Sequence, residues 1–182
     1  IKVWSLLLIA LLVCSVGVAG KTKREKPLVQ MAILLDTSGS MEGLIEQAKT
    51  QLWKIVNELA TARKNGQIPR LEVALYEYGK STIPASEGYL RMIVPLSQDL
   101  DRISEELFKL KTNGGDEYCG RVIQAAVEGL TWTKNNNELK VIFIAGNEPF
   151  TQGGVDYKGA CKASITKGII VNTIHCGDYQ TG

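Results

Sequence analysis

One carboxylate and two hydroxyls stand at alternating positions in Asp36-Thr37-Ser38-Gly39-Ser40. In extended backbone, alternate side chains leave the chain on one side, so Asp36, Ser38 and Ser40 are expected to face a common space. Oxygen donors of this kind suit a hard divalent cation, Mg²⁺ above all (or Mn²⁺ or Ca²⁺), which keeps several of its waters. Held by few protein carboxylates, such an ion stays electrophilic and can accept a carboxylate or other oxygen donor from a partner. The same residues have a second use, because Asp36 and Ser40 could merely cap the helix that follows. Spacing alone leaves both readings open.

Strands and helices must position these groups. Leu28–Leu35 is an almost continuous apolar run, the mark of a strand covered on both faces. It ends at Asp36, after which Leu44, Ile45, Ala48, Leu52, Ile55, Val56 and Leu59 recur at helical spacing to about Ala62. Asn65-Gly66 and Pro69 break the chain. Leu71–Tyr78 and Tyr89–Leu96 read as the second and third strands, with a turn-rich stretch between them. Ser97 is placed to cap a helix carrying Leu100, Ile103, Leu107 and Leu110. A Gly-containing loop, Thr112–Asp116, leads to a helix with Val122, Ile123, Ala126, Val127 and Leu130. Val141–Ala145 is a fourth strand, Asp156–Lys167 a helix and Ile169–Ile174 a fifth strand. This alternation implies an α/β fold, a doubly wound and mostly parallel sheet flanked by helices. Ligands of such sheets sit beyond the carboxyl ends of the strands. There the Asp36 loop, the Thr112–Asp116 loop and the Gly146–Pro149 loop should meet. The chain stops at Gly182 just after a strand, so the fold is expected to lack its C-terminal elements.

Composition suits one globular domain: 182 residues, 45% hydrophobic and 22% charged. From Leu28 onward 16 Lys and Arg face 18 Asp and Glu, a balance that offers no footprint for nucleic acid. Residues 1–20 read as a signal peptide, or alternatively an N-terminal anchor. Lys2 precedes an apolar stretch that ends in the small residues of Val16–Gly20. Cleavage is expected near Ala19 or Gly20, and Cys14 lacks the small preceding residue of a lipidated cysteine. Residues 21–27 form a basic linker and residues 28–182 the domain. The protein is therefore expected to be exported, periplasmic or extracellular, and to touch a membrane only through an uncleaved leader. Cys119, Cys161 and Cys176 remain after the leader, which allows one disulfide and a free thiol or three reduced cysteines. His175 is the only histidine, and its neighbour Cys176 should point to the opposite face of a strand.

Two look-alikes fail their context. Asp36-Thr37-Ser38-Gly39 has its glycine one place late for an aspartic-protease signature, and no second copy exists. Gly79-Lys80-Ser81-Thr82 ends like a phosphate-binding loop, but its first glycine is Ala74 and Pro84 blocks a following helix. Tyr76, Tyr78 and Tyr89 read as residues packed on the sheet.

The run Ile33-Leu34-Leu35-Asp36-Thr37-Ser38-Gly39-Ser40-Met41 resembles the first-strand signature of von Willebrand factor type A (VWA) domains, which carry a metal-ion-dependent adhesion site. The order of elements from Leu28 to Thr173 is similar too. The resemblance implies a Rossmann-like VWA fold whose last helix and strand would lie beyond Gly182. It also implies that Asp36, Ser38 and Ser40 ligate a metal, directly or through water. Two positions depart from the family pattern. Where a threonine usually follows paired glycines, Gly114-Gly115 is followed by Asp116, with Thr112 a weaker candidate. Where the third loop usually carries Asp-Gly, this chain has Gly146, with Asn147 offering an oxygen one residue later. The resemblance thus implies an altered site in which a carboxylate has moved from the third loop to the second. An extra carboxylate there would reduce the metal's appetite for an acidic partner. The expected activity is capture of a protein ligand through the cation, without catalysis. The alternatives are a metal-independent interaction scaffold and a hydrolase that uses Asp36 and Asp116 as a mutually perturbed carboxylate pair.

Overall fold

The structure, a computed structural model, describes residues 25–64 and 66–177. The expected leader 1–20, residues 21–24 of the basic linker and Asn65 lie outside the described residues. Among the described residues, five strands form one sheet in the order β3-β2-β1-β4-β5. They are β1 (Leu28–Asp36), β2 (Arg70–Tyr78), β3 (Leu90–Ser97), β4 (Leu139–Gly146) and β5 (Ile169–His175). Four α-helices accompany them: α1 (Ile45–Thr61), α2 (Leu100–Lys109), α3 (Cys119–Gly129) and α4 (Tyr157–Thr166). β1 runs parallel to β2 and β4, and β4 parallel to β5; β3 alone is antiparallel.

β1 is central and buried throughout, which its unbroken apolar run requires. Its side chains alternate between two cores. Met31, Ile33 and Leu35 pack with Leu52 and Val56 of α1 and Ile103 and Leu107 of α2. Ala32 and Leu34 pack with Val122, Ile123 and Ala126 of α3 and Ala160 of α4. Each fully buried Leu or Ile stabilises the fold by roughly 1.5–3 kcal/mol, so both faces hold β1 firmly.

Register sets the site. Asp36 pairs with Tyr78 at the end of β1 and β2, and Leu35 with Ala145 of β4. The carboxyl ends of three neighbouring strands are therefore flush, and Asp36, Tyr78 and Gly146 meet there.

Local chemistry corrects two boundaries. The residue capping α2 is Asp99, whose carboxylate accepts from the Arg102 amide at 3.0 Å; Ser97 instead accepts from the Asp99 amide at 3.1 Å. A carboxylate is the stronger acceptor for a helix N-terminus, and Asp99 stands directly before the first helical residue. After Ser38 the chain makes a short 3₁₀ turn, Gly39–Met41, so α1 starts at Ile45. On α1 the almost fully buried Lys49 donates through Nζ to the Leu110 carbonyl at 2.5 Å and the Phe108 carbonyl at 3.4 Å. It supplies a cation where the last carbonyls of α2 need donors. Cys119, Cys161 and Cys176 are all free thiols.

Candidate metal centre

Asp36 is fully buried at the end of β1. Its Oδ1 accepts from the Ser38 amide at 2.8 Å, a bond that turns the loop around its own carboxylate. Oδ2 is buried and has no hydrogen-bond partner. Burial pushes the Asp36 carboxyl up to about 6, against the opposing pull of the Ser38 amide and hydroxyl. The charge of Glu117 pushes it the same way as burial, and the Asn147 amide opposes. An ionised carboxylate here needs a positive charge that the described residues do not supply.

Ser38 is fully buried and Ser40 exposed, yet their hydroxyls lie 2.9 Å apart. Ser40 Oγ donates to Asn147 Oδ1 at 3.0 Å, and Asn147 Nδ2 donates back to the Ser40 carbonyl at 3.2 Å. Asp36, Ser38, Ser40 and Asn147 thus form one constellation. Thr37 faces away from it. Its hydroxyl donates to the Tyr78 carbonyl at 3.1 Å, and its amide donates to the same oxygen at 2.8 Å.

The second loop is stacked on the first. The Asn113 amide donates to the Thr37 carbonyl at 2.8 Å, and the Ser81 amide to the Gly114 carbonyl. Gly115 must be glycine, since a Cβ there would lie 2.5 Å from the Gly79 carbonyl oxygen. Gly79, at φ +79°, would in turn drive a Cβ to 2.8 Å from Asp36 Oδ1. In the segment that follows, burial alternates. Asp116 is exposed and accepts from Tyr118 Oη at 3.4 Å, whereas Glu117 is buried and its charge acts on Asp36. Of these two acids only Glu117 is buried. Thr112 is half-buried, and its side chain makes no hydrogen bond to any described residue.

In the third loop, a Cβ at Gly146 would lie 2.6 Å from Tyr78 Oη and 3.0 Å from Asp36 Oδ2. The Tyr78 hydroxyl occupies the space that a side chain at 146 would need. That hydroxyl donates to the Ala145 carbonyl at 3.4 Å and accepts from Cys119 Sγ at 3.7 Å. Burial raises the Tyr78 phenol well above its ordinary value and the Cys119 thiol to about 12, so both stay neutral. Tyr78, read in the sequence as packed on the sheet, is buried there and also brings its hydroxyl to the site edge, and Gly79 lies against Asp36, a role the sequence did not suggest. The alternation of 116 and 117 within an irregular loop carries no sequence signal.

The donor set fits a hard cation. It consists of an orphaned buried carboxylate oxygen with two hydroxyls beside it, all oxygen. Among the described residues no group of three or more His, Cys, Asp and Glu comes together.

A mostly parallel sheet with this loop constellation at its carboxyl edge defines the class: the sequence profile of the von Willebrand factor type A domain matches residues 30–181, and the chain belongs to that family. Among curated proteins, no sequence matches the chain. Several solved structures share its fold. An aerotolerance-related membrane protein from Bacteroides fragilis is 21% identical with a TM-score of 0.56, over 82% of this chain and 68% of that one. Proximal thread matrix protein 1 from the mussel byssus, solved with a zinc-occupied metal-ion-dependent adhesion site, is 15% identical with a TM-score of 0.59. That match covers 82% of this chain and 38% of the mussel protein. SpaC, a pilus adhesin from Lactobacillus rhamnosus GG, is 15% identical with a TM-score of 0.57, over 83% of this chain and 24% of SpaC.

Proposed function

We propose that the protein is an exported interaction module that uses a divalent cation at the Asp36 site to capture an oxygen donor, a carboxylate among them, from a protein partner. The observation that carries this reading is the buried Asp36 carboxylate with Oδ2 unpaired. Leaving a buried acceptor unsatisfied costs about 1–3 kcal/mol, and more when it is charged. Asp36 would anchor the ion, and Ser38 and Ser40 would complete the first loop, directly or through water. The bound ion supplies an oxygen-seeking positive charge at the sheet edge. The tight Gly79 and Gly115 packing holds the loops so that this edge is preformed. The adhesin and the matrix protein among the structural neighbours agree with an interaction role, and the pilus and membrane proteins with export.

Melting of the purified protein in chelator and across a Mg²⁺ or Mn²⁺ titration tests the reading. The wild type should gain stability with cation, because a ligand that binds only the native state stabilises it. Asp36→Ala should abolish that gain; an equal gain in the variant defeats the assignment. A second reading, a scaffold without obligatory metal, is favoured by the reciprocal Ser40–Asn147 pair, which closes the loop unaided. Absence of any cation response in the wild type would select it.

A further inference from the structure

We propose that a cleft at the amino ends of β4 and β5 binds a phosphate or sulfate group, free or as a monoester, through Lys134, Lys140 and Lys167. The cleft lies at the opposite end of the sheet from Asp36 and does not depend on the cation reading above.

Its volume is about 390 Å³, and its walls include these three lysines, Trp132, Thr131 and Thr133, and no acidic side chain. Lys140 is only 3% exposed. Its Nζ donates to the Thr133 carbonyl at 3.1 Å, the single hydrogen bond it makes among the described residues. An ammonium has three donors, and burying one without a counter-charge is costly. The other buried lysine, Lys49, meets that cost with Glu46 at 2.7 Å and two backbone carbonyls. No described carboxylate does the same for Lys140. Cross-strand register places Gln30 beside it and Glu72 beyond Gln30, about 9–10 Å across the sheet. Glu72 is already engaged by Gln30 Nε2 at 2.8 Å and by Arg70 at 3.6 Å.

Helix ends are the competing use of these cations. α3 and α4 both finish beside the cleft, and Lys167 Nζ donates to the Val127 carbonyl in the last turn of α3 at 2.9 Å. Two helix C-termini together carry about −1, against +3 from the lysines, which leaves roughly two positive charges for a dianion. Lys64 adds another charge at the same loop, where its Nζ donates to the Asn137 carbonyl at 3.1 Å. Thr131 and Thr133 bring hydroxyl donors that a tetrahedral oxyanion can use. The loop is held ready: the Thr133 amide donates to Gln30 Oε1 at 2.7 Å, and Trp132 Nε1 to the Ala126 carbonyl at 2.9 Å.

Calorimetric titration of the purified protein with inorganic phosphate, sulfate, phenyl phosphate and acetate tests the assignment, with tryptophan emission as a second readout. Ionic strength is fixed and the anions are kept at millimolar concentration, because concentrated phosphate and sulfate stabilise proteins generally. The wild type should bind phosphate and sulfate saturably and acetate far more weakly. Lys140→Met and Lys167→Gln should each lose about tenfold or more in affinity, as removal of a hydrogen bond to a charged group does. Lys167 is exposed, so its variant carries the test if Lys140→Met folds poorly. Lys158→Gln, at an exposed position in the first turn of α4 and outside the cleft, should bind like wild type. Tighter binding of phenyl phosphate than of inorganic phosphate identifies a monoester as the ligand, and the reverse order the free anion. The proposal is overturned if the wild type binds neither phosphate nor sulfate, or if acetate binds as well as they do. It is equally overturned if Lys167→Gln binds like wild type, or if Lys158→Gln loses as much as Lys167→Gln.

Discussion

Replacing Asp36 by Asn removes a charge while keeping the shape and the oxygen that accepts from the Ser38 amide. The native carboxyl titrates at about 6 against an ordinary value of 3.8, chiefly through burial. Without cation, the folded state therefore holds this proton more tightly than the unfolded chain does. Stability then falls as pH rises from about 4 to about 6, and the whole penalty stands at pH 7. A shift of about two units corresponds to ~3 kcal/mol as an upper figure. In chelator at pH 7, Asp36→Asn should accordingly melt higher than wild type, by about 2–4 °C for each kcal/mol relieved. With Mg²⁺ at a hundred times its dissociation constant, the wild type should recover ~2.7 kcal/mol and the variant nothing, so the gap closes. Scanning calorimetry at pH 4.5, 6 and 7.5, with chelator and with Mg²⁺, reads all of this. The reasoning is refuted if the variant melts below wild type in chelator at pH 7.5, or if both proteins show the same slope with pH.

Further outcomes follow from the packing. Gly146→Ala should destabilise by about 1–3 kcal/mol through overpacking against the Tyr78 hydroxyl, and Tyr78→Phe should relieve part of that cost. A double-mutant cycle in denaturant would then give a favourable coupling, and strict additivity would contradict the contact. Lys49→Met keeps the apolar stem but strips a donor from the Phe108 and Leu110 carbonyls, so urea unfolding should show a loss of about 1–3 kcal/mol. Leu34→Ala, at a fully buried position of β1, should cost about 2–5 kcal/mol in the same assay.

Much of the fold was legible because periodicity is a long-range signal. The apolar run of β1 and the helical spacing from Ile45 to Leu59 each extend over many residues, and the elements fall where those patterns place them. Boundaries were less legible where competing acceptors sit two residues apart, as Ser97 and Asp99 do; only the backbone geometry decides which one meets the first free amide. The first loop was legible for a related reason. It continues a strand, so the Ser38 and Ser40 hydroxyls meet on one side while the Thr37 hydroxyl between them bonds the Tyr78 carbonyl.

The second loop is irregular, and one residue of phase there exchanges an exposed Asp116 for a buried Glu117. Nothing local to the sequence sets that phase. It is set by non-local contacts: Gly115 against Gly79, the Asn113 amide on Thr37, and the Glu117 amide on Gln152. The third loop follows the same logic. Gly146 looks in sequence like the loss of a ligand, but in space it accommodates the hydroxyl of Tyr78, whose strand pairs directly with Asp36. A side chain at 146 would have to displace Tyr78 Oη and would stand against Asp36 Oδ2.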